Sequence, residues 1–244
     1  MILNKIIVPN GSALIGSSIP SESPQISIEV PAFEITINQI TNHEFNLFMQ
    51  DDGYSKSQYW SKEGWDWIKE QKIIEPAFWD NSRYNQPNQP VTGVSFYESE
   101  AFSRWVGGRL PTETEWEKAA SGTQGSKYPW GDDTPTLEIA NYSPGFVPVE
   151  ISAVNVDQYP SNKSPFGCQQ MAGNLFEWCA DFFHADTPTK RHKSFIAESR
   201  PSRRRVLKGG AWTTDISRLR CAARWSYTPN LRDNIIGLRV AFDI

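Results

Sequence analysis

The stretch Met171-Ala172-Gly173-Asn174-Leu175-Phe176-Glu177-Trp178-Cys179 decides how the chain reads. Other segments stand beside it in a fixed order. Gly108-Arg109-Leu110-Pro111-Thr112-Glu113-Thr114-Glu115-Trp116-Glu117 and Tyr128-Pro129-Trp130-Gly131 precede it. Lys208-Gly209-Gly210-Ala211-Trp212 follows, running on to Arg220-Cys221-Ala222-Ala223-Arg224 and Gly237-Leu238-Arg239-Val240-Ala241. Between them turn chemistry dominates, with 17 Pro and 16 Gly among many Asn and Ser. Helices are few and short. Thr41 caps one, with Glu44 at the capping-box position and Phe45, Leu47, Phe48 and Met49 on one face. Ser95 opens a second through Phe102, Trp105 and Val106, stopped by Gly107-Gly108. Thr112 and Glu115 box a third, which ends before Gly122. Strand patterns lie at 25–30, 33–37, 206–208, 219–225 and 237–242. No linker-like composition divides the chain. Residues 1–244 therefore read as a single domain of irregular α+β type with long structured loops.

Composition narrows the function classes. The 244 residues can bury a sizeable core, and 39% hydrophobic with 21% charged residues excludes a disordered chain. No run approaches the ~20 apolar residues of a membrane span. The apolar start, Met1 to Pro9, is short for a signal peptide and lacks a small-residue cleavage site. A cytoplasmic protein without a membrane partner is expected. Cys168, Cys179 and Cys221 build no disulfide framework and show no CxxC spacing. His43, His184 and His192 include no pair at helical ligand spacing, which argues against a histidine-held zinc or iron centre. Net charge is -4, yet eight basic residues against Glu198 alone fall between Thr187 and Lys208. Such a loop can attract nucleic acid or an acidic partner, but a solvated surface is the preferred reading. No stacking platform accompanies it, so nucleic acid is not an expected partner. Ten Trp, 8 Tyr and 13 Phe either pack an irregular fold or line a ligand surface.

In their order, these segments resemble the formylglycine-generating enzyme family, also called sulfatase-modifying factors. Ile40-Thr41-Asn42, Gly53-Tyr54 and Pro90-Val91-Thr92-Gly93-Val94-Ser95 fit the same family, and the resemblance runs over residues 7–242. It implies a C-type-lectin-like fold. It also implies several activities: copper-dependent oxidation of a sulfatase cysteine to formylglycine, iron-dependent sulfoxide synthesis in ergothioneine and ovothiol biosynthesis, a pyoverdine-maturation oxidoreductase, or plain ligand binding by variable proteins of diversity-generating retroelements. A copper-thiolate oxidase needs two neighbouring sulfur ligands. The family carries them between its Gly-Gly and Arg-Cys-Ala-Ala-Arg segments, where residues 211–219 here contain no cysteine. The family's serine after Gly-Gly is Ala211, and its asparagine before the last glycine is Ile235. Copper and formylglycine generation are therefore not expected. No HxxxHxE helix is present for iron, so a partner chain would have to supply those ligands.

The resemblance further implies structural calcium, held by the Gln170 side chain, the Gly173 and Leu175 carbonyls and Glu177. Oxygen ligands suit calcium, although Gln170 brings no charge. Glu177 capping its own loop without metal is the competing reading. Arg109 beside Glu115 reads as a structural ion pair, and Arg220, Arg224 and Arg239 as forked ties on the C-terminal segments. Cys168 and Cys179 read as small core residues. The family's usual ligand surface falls on Trp212, Trp225, Tyr227, Asn230, Arg232 and Asn234, where polar and aromatic residues interleave. The expected function is a ligand- or protein-binding module, a retroelement-diversified receptor being a special case. A metal-dependent oxidoreductase of the ergothioneine sulfoxide synthase or pyoverdine-maturation type is the alternative.

Overall fold

Three small sheets and four short helices make up the computed structural model, which describes residues 3–146, 152–184 and 203–244. In chain order the strands are β1 (Lys5–Val8), β2 (Gly11–Ile15), β3 (Ile26–Val30), β4 (Phe33–Thr36), β5 (Phe176–Phe182), β6 (Arg205–Lys208), β7 (Trp225–Tyr227), β8 (Ile236–Gly237) and β9 (Ala241–Asp243). Helices α1 (Asn42–Gln50), α2 (Lys62–Gln71), α3 (Phe96–Trp105) and α4 (Glu113–Ser121) lie between β4 and β5. Strand β4 sits between β1 and β9, so the two ends of the chain share one sheet. β2 and β3 form a hairpin, and the third sheet runs β7-β6-β5-β8. In it β5 is antiparallel to β6 and parallel to β8.

The three expected helices form where their caps place them. Thr41, Ser95 and Thr112 each complete a capping box, with Glu44, Glu98 and Glu115 reaching back to the cap N–H. Each box satisfies two donors that a helix start otherwise leaves open. Phe45 of α1 stacks on Phe102 of α3 at 5.2 Å between ring centroids and Phe48 meets the same ring edge-on at 6.0 Å, which founds the larger core. A second core lies between the β2–β3 hairpin and α4.

Helix α4 is buried along nearly its whole length despite four charged residues. Each charge meets a partner. Glu113 takes a guanidinium fork from Arg224, and Glu115 takes one from Arg109 at 2.7 Å on both oxygens. Glu117 pairs with Lys208 at 2.9 Å. Lys118 donates to the carbonyls of Pro9, Gly11 and Val30, tying the helix to the hairpin. Paired in this way, charges can leave water without stranding a donor or acceptor. Arg109, Arg224 and Arg239 are structural ties as the sequence suggests, and Arg220 reaches Glu22 at 2.6 Å.

Several elements differ from expectation. Of the expected strand at 219–225, residues 219–224 are loop and Trp225 alone is in a strand. A 3-10 turn (Ile216–Arg218) leads into a loop whose Cys221 N–H bonds the Lys127 carbonyl, and pairing starts only at Trp225. Side-chain ties at Arg220 and Arg224 hold this loop in place of a ladder. The pattern at 237–242 splits into β8 and β9. Between them Leu238 and Val240 accept from Ile40 and Thr36, and Arg239 turns inward. Helix α2 starts on the Ser61 cap without a capping box, which removes the signal that marks the other three. Strand β5 is buried on both faces at its start, so it shows no alternation.

Candidate functional site

A cavity of about 680 Å³ opens where α2 and α3 meet the end of β5 and the loop after β7. Helix α2 contributes Glu63 and Trp67, and α3 contributes Phe96, Tyr97 and Glu100. Thr228, Pro229 and Asn230 close one side, and Arg203 and Arg205 enter from the start of β6. Trp67 and Tyr97 lie 5.5 Å apart at 45°, forming an aromatic wall. A narrower cavity of about 150 Å³ shares Phe96, Glu100 and Arg205 and is floored by Leu110, Thr112 and Ala180.

Arg205 is the centre of this arrangement. Its guanidinium sits 3.6 Å from the Phe182 ring centroid and 4.1 Å from that of Phe96. Nη1 donates to the Ala180 carbonyl at 2.6 Å, while Nε is buried without a hydrogen-bond partner. Burial pulls its pKa below the usual arginine value, against the field of Glu100. Glu100 is itself engaged by Arg104 at 2.9 Å through Oε1, and its Oε2 is buried without a hydrogen bond. Burial raises the Tyr97 hydroxyl pKa. The cleft thus offers flat apolar walls and a guanidinium held rigid by stacking.

The six residues expected at a ligand surface are dispersed. Asn230 lines the cleft. Trp212 is 8% exposed, packs with Ala153 and Leu175, and donates to the Asn234 carbonyl, so it is a core residue. Trp225 and Tyr227 are half-buried on β7, and the Arg218 guanidinium covers Trp225 at 4.1 Å. Arg232 pairs with Glu98 at 3.2 Å, bonds the Glu75 carbonyl and lines a separate cavity formed by residues 71–82. Asn234 donates to the Tyr84 hydroxyl at 2.9 Å. Trp67, Phe96, Tyr97, Phe182 and Arg205 carry the cleft and were not expected there. For Trp67, Phe96 and Tyr97 the sequence signal is an excess of aromatics in residues 62–71 and 96–105 beyond what one core stripe needs; Phe182 and Arg205 carry none.

The basic stretch is not one uniform face. Arg203 and Arg204 are exposed, Arg205 is in the cleft, and Lys208 is fully buried. Lys190, Arg191, Lys193, Arg200 and His192 lie outside the described residues. Of the four residues expected at calcium, Leu175 and Glu177 are bridged by the Gln39 amide, Gln170 joins through Asn174, and the Gly173 N–H bonds the Gly209 carbonyl.

All three cysteines are buried, and desolvation raises each thiol pKa, most strongly at Cys179 and Cys221. A raised pKa keeps the thiol protonated and a poor nucleophile. Ellman's reagent at mildly alkaline pH is therefore expected to titrate none of the three in the folded protein and all three in denaturant. Rapid labelling of a native thiol would contradict this. Among the described residues, no three His, Cys, Asp or Glu side chains gather as a metal site. Among them, no helix is long and apolar enough to cross a membrane.

The chain matches known proteins over nearly its full length. The sulfatase-modifying factor enzyme 1-like domain matches residues 2–244. Hercynine oxygenase of Mycobacterium tuberculosis is 34% identical over 251 residues, covering 93% of this chain and 56% of that protein. The chain spans between half and two thirds of the hercynine oxygenases it matches. Among solved structures, PvdO from Pseudomonas aeruginosa superposes with a TM-score of 0.71 at 19% identity, covering 98% of this chain and 94% of that one. Variable protein 1 of Treponema denticola superposes at 0.68 and 18%, with the same coverage. Those two likenesses concern the fold, which is the α+β, C-type-lectin-like arrangement that the family resemblance implies. With a domain match of this extent and a relative of this identity, the chain belongs to the sulfatase-modifying factor family.

Proposed function

We propose that this chain is a ligand-binding module of its family, and that its ligand joins a flat apolar body to a carboxylate or phosphate. Arg205 carries this reading. Its guanidinium lines the cleft, stacked against Phe96 and Phe182 and anchored by Nη1 on the Ala180 carbonyl. A fixed fork loses little freedom on meeting an oxyanion, so the stacking that holds it favours binding. Trp67 and Tyr97 supply the apolar wall. No soft-ligand pair or reactive thiol stands among the described cysteines, so the chain's own residues support recognition rather than copper chemistry.

Ligand-observed NMR tests this with indole-3-acetate against indole. The acid is expected to bind the wild type more tightly. Arg205→Met should remove that preference, a loss of about tenfold or more for a charge-assisted hydrogen bond. Equal binding of the two probes, or an unchanged preference in the variant, would sink the proposal.

The identity to hercynine oxygenase favours a second reading. There the chain would wall the substrate site of an oxidoreductase whose metal ligands come from another polypeptide segment. Oxygen uptake with hercynine and a thiol, dependent on added iron, would support it, and no uptake would count against it.

A further inference from the structure

The loop that the family resemblance assigns to calcium is already filled by the chain itself. Gln39, just ahead of α1, is 1% exposed. Its Nε2 donates to the Leu175 carbonyl and to Glu177 Oε1, both at 3.0 Å. Its Oε1 accepts from Asn174 Nδ2 at 3.3 Å, and that same amide donates to Gln170 Oε1 at 2.9 Å. Gln170 and Asn174 both hold left-handed backbone, with φ of 53° and 67°, which directs their side chains into this network. Glu177 receives Arg239 as a fork, Nε to Oε2 at 3.0 Å and Nη2 to Oε1 at 3.1 Å. Trp116 Nε1 adds a third donor on Oε2 at 2.6 Å.

Three of the four oxygen groups that would hold the ion are therefore occupied by N–H donors. The one formal negative charge is neutralised by a guanidinium that is fully buried. A divalent ion needs those lone pairs at about 2.3–2.6 Å and needs net negative charge around it. The residues present do not fit calcium.

We infer that Gln39 is a built-in substitute for the ion: its amide bridges Leu175 and Glu177, making the fold indifferent to calcium. Position 39 then controls whether the loop can take a cation. Gln39→Glu removes both donated hydrogen bonds and sets a second carboxylate against Glu177. That pair would repel in chelator and form a hard-oxygen site when calcium is supplied.

Two readouts on the full chain test this. Thermal melts of the wild type in chelator and in millimolar calcium should agree within about 1 °C, because nothing binds the folded state selectively. Gln39→Glu should melt lower in chelator and regain about 5 °C or more in calcium. Terbium supplies the second readout, since an ion at Glu177 lies beside the Trp116 indole and would show sensitised emission. That emission should be saturable and displaced by calcium in Gln39→Glu, lost on adding Trp116→Phe, and missing from the wild type. If Gln39→Glu folds only with calcium present, the inference stands. Gln39→Met, which carries neither donor nor charge, should melt lower yet stay indifferent to calcium. A wild-type melt that rises with calcium overturns the inference, as does a Gln39→Glu chain that ignores the ion.

Discussion

Arg239→Met will destabilise the protein by about 3–5 kcal/mol, the usual cost of breaking one side of a buried ion pair. Arg239 is fully buried and spends its donors on several acceptors at once. Nη1 serves the Thr36 carbonyl at 2.7 Å and that of Ile37 at 2.5 Å, Nη2 serves Gln169 at 2.8 Å, and the fork takes Glu177. Methionine keeps much of the volume, so the loss is electrostatic rather than a cavity. It leaves a buried carboxylate without its cation and three carbonyls without this donor. For a chain of this size the melt should fall by on the order of 10 °C. Arg239→Lys keeps the charge without the fork and should fall between the two. A melt within about 2 °C of wild type for Arg239→Met would contradict the role given to this residue.

Lys208→Met should cost a similar ~3–5 kcal/mol. Lys208 closes the basic stretch that reads as a solvated surface, yet it is fully buried and pairs with Glu117 at 2.9 Å. Glu117 also accepts the Gly16 N–H at 2.6 Å, so the pair ties α4 to both the hairpin and the central sheet. Arg203→Met, at an exposed position of the same stretch, should change stability by no more than about 0.5 kcal/mol. The double variant Lys208→Met with Glu117→Gln should recover part of the loss, because it removes the stranded charge. Urea titrations of the four chains give all these values. Equal, small losses at positions 203 and 208 would refute the buried pair.

Legibility followed the range of the interactions. Capping boxes act within four residues, so Thr41, Ser95 and Thr112 announced three helices with their starts correct to a residue. Helix α2 has only a single Ser61 cap bond, which leaves no comparable local signal. The Arg220–Arg224 segment looked like a strand because a short apolar run lies between its two arginines. Its side chains point at Glu22 and Glu113, more than a hundred residues away, and no local pattern encodes that. The cleft is a harder case. Phe96, Phe182 and Arg205 converge from three distant elements, and each alone reads as ordinary packing or surface charge. Trp212 misled for the opposite reason. Its place in the family motif suggested a ligand surface, while Ala153 and Leu175 bury it. Gln39 carries no sequence signal, since its role depends on where Leu175 and Glu177 arrive.

Recognition at Arg205 is open to a direct test in a crystal structure of the chain grown with indole-3-acetate. The carboxylate is expected on the Arg205 guanidinium, with the indole ring against Trp67 and Tyr97. Density for the ligand beside Arg232 instead, or an empty cleft at saturating ligand, would contradict it.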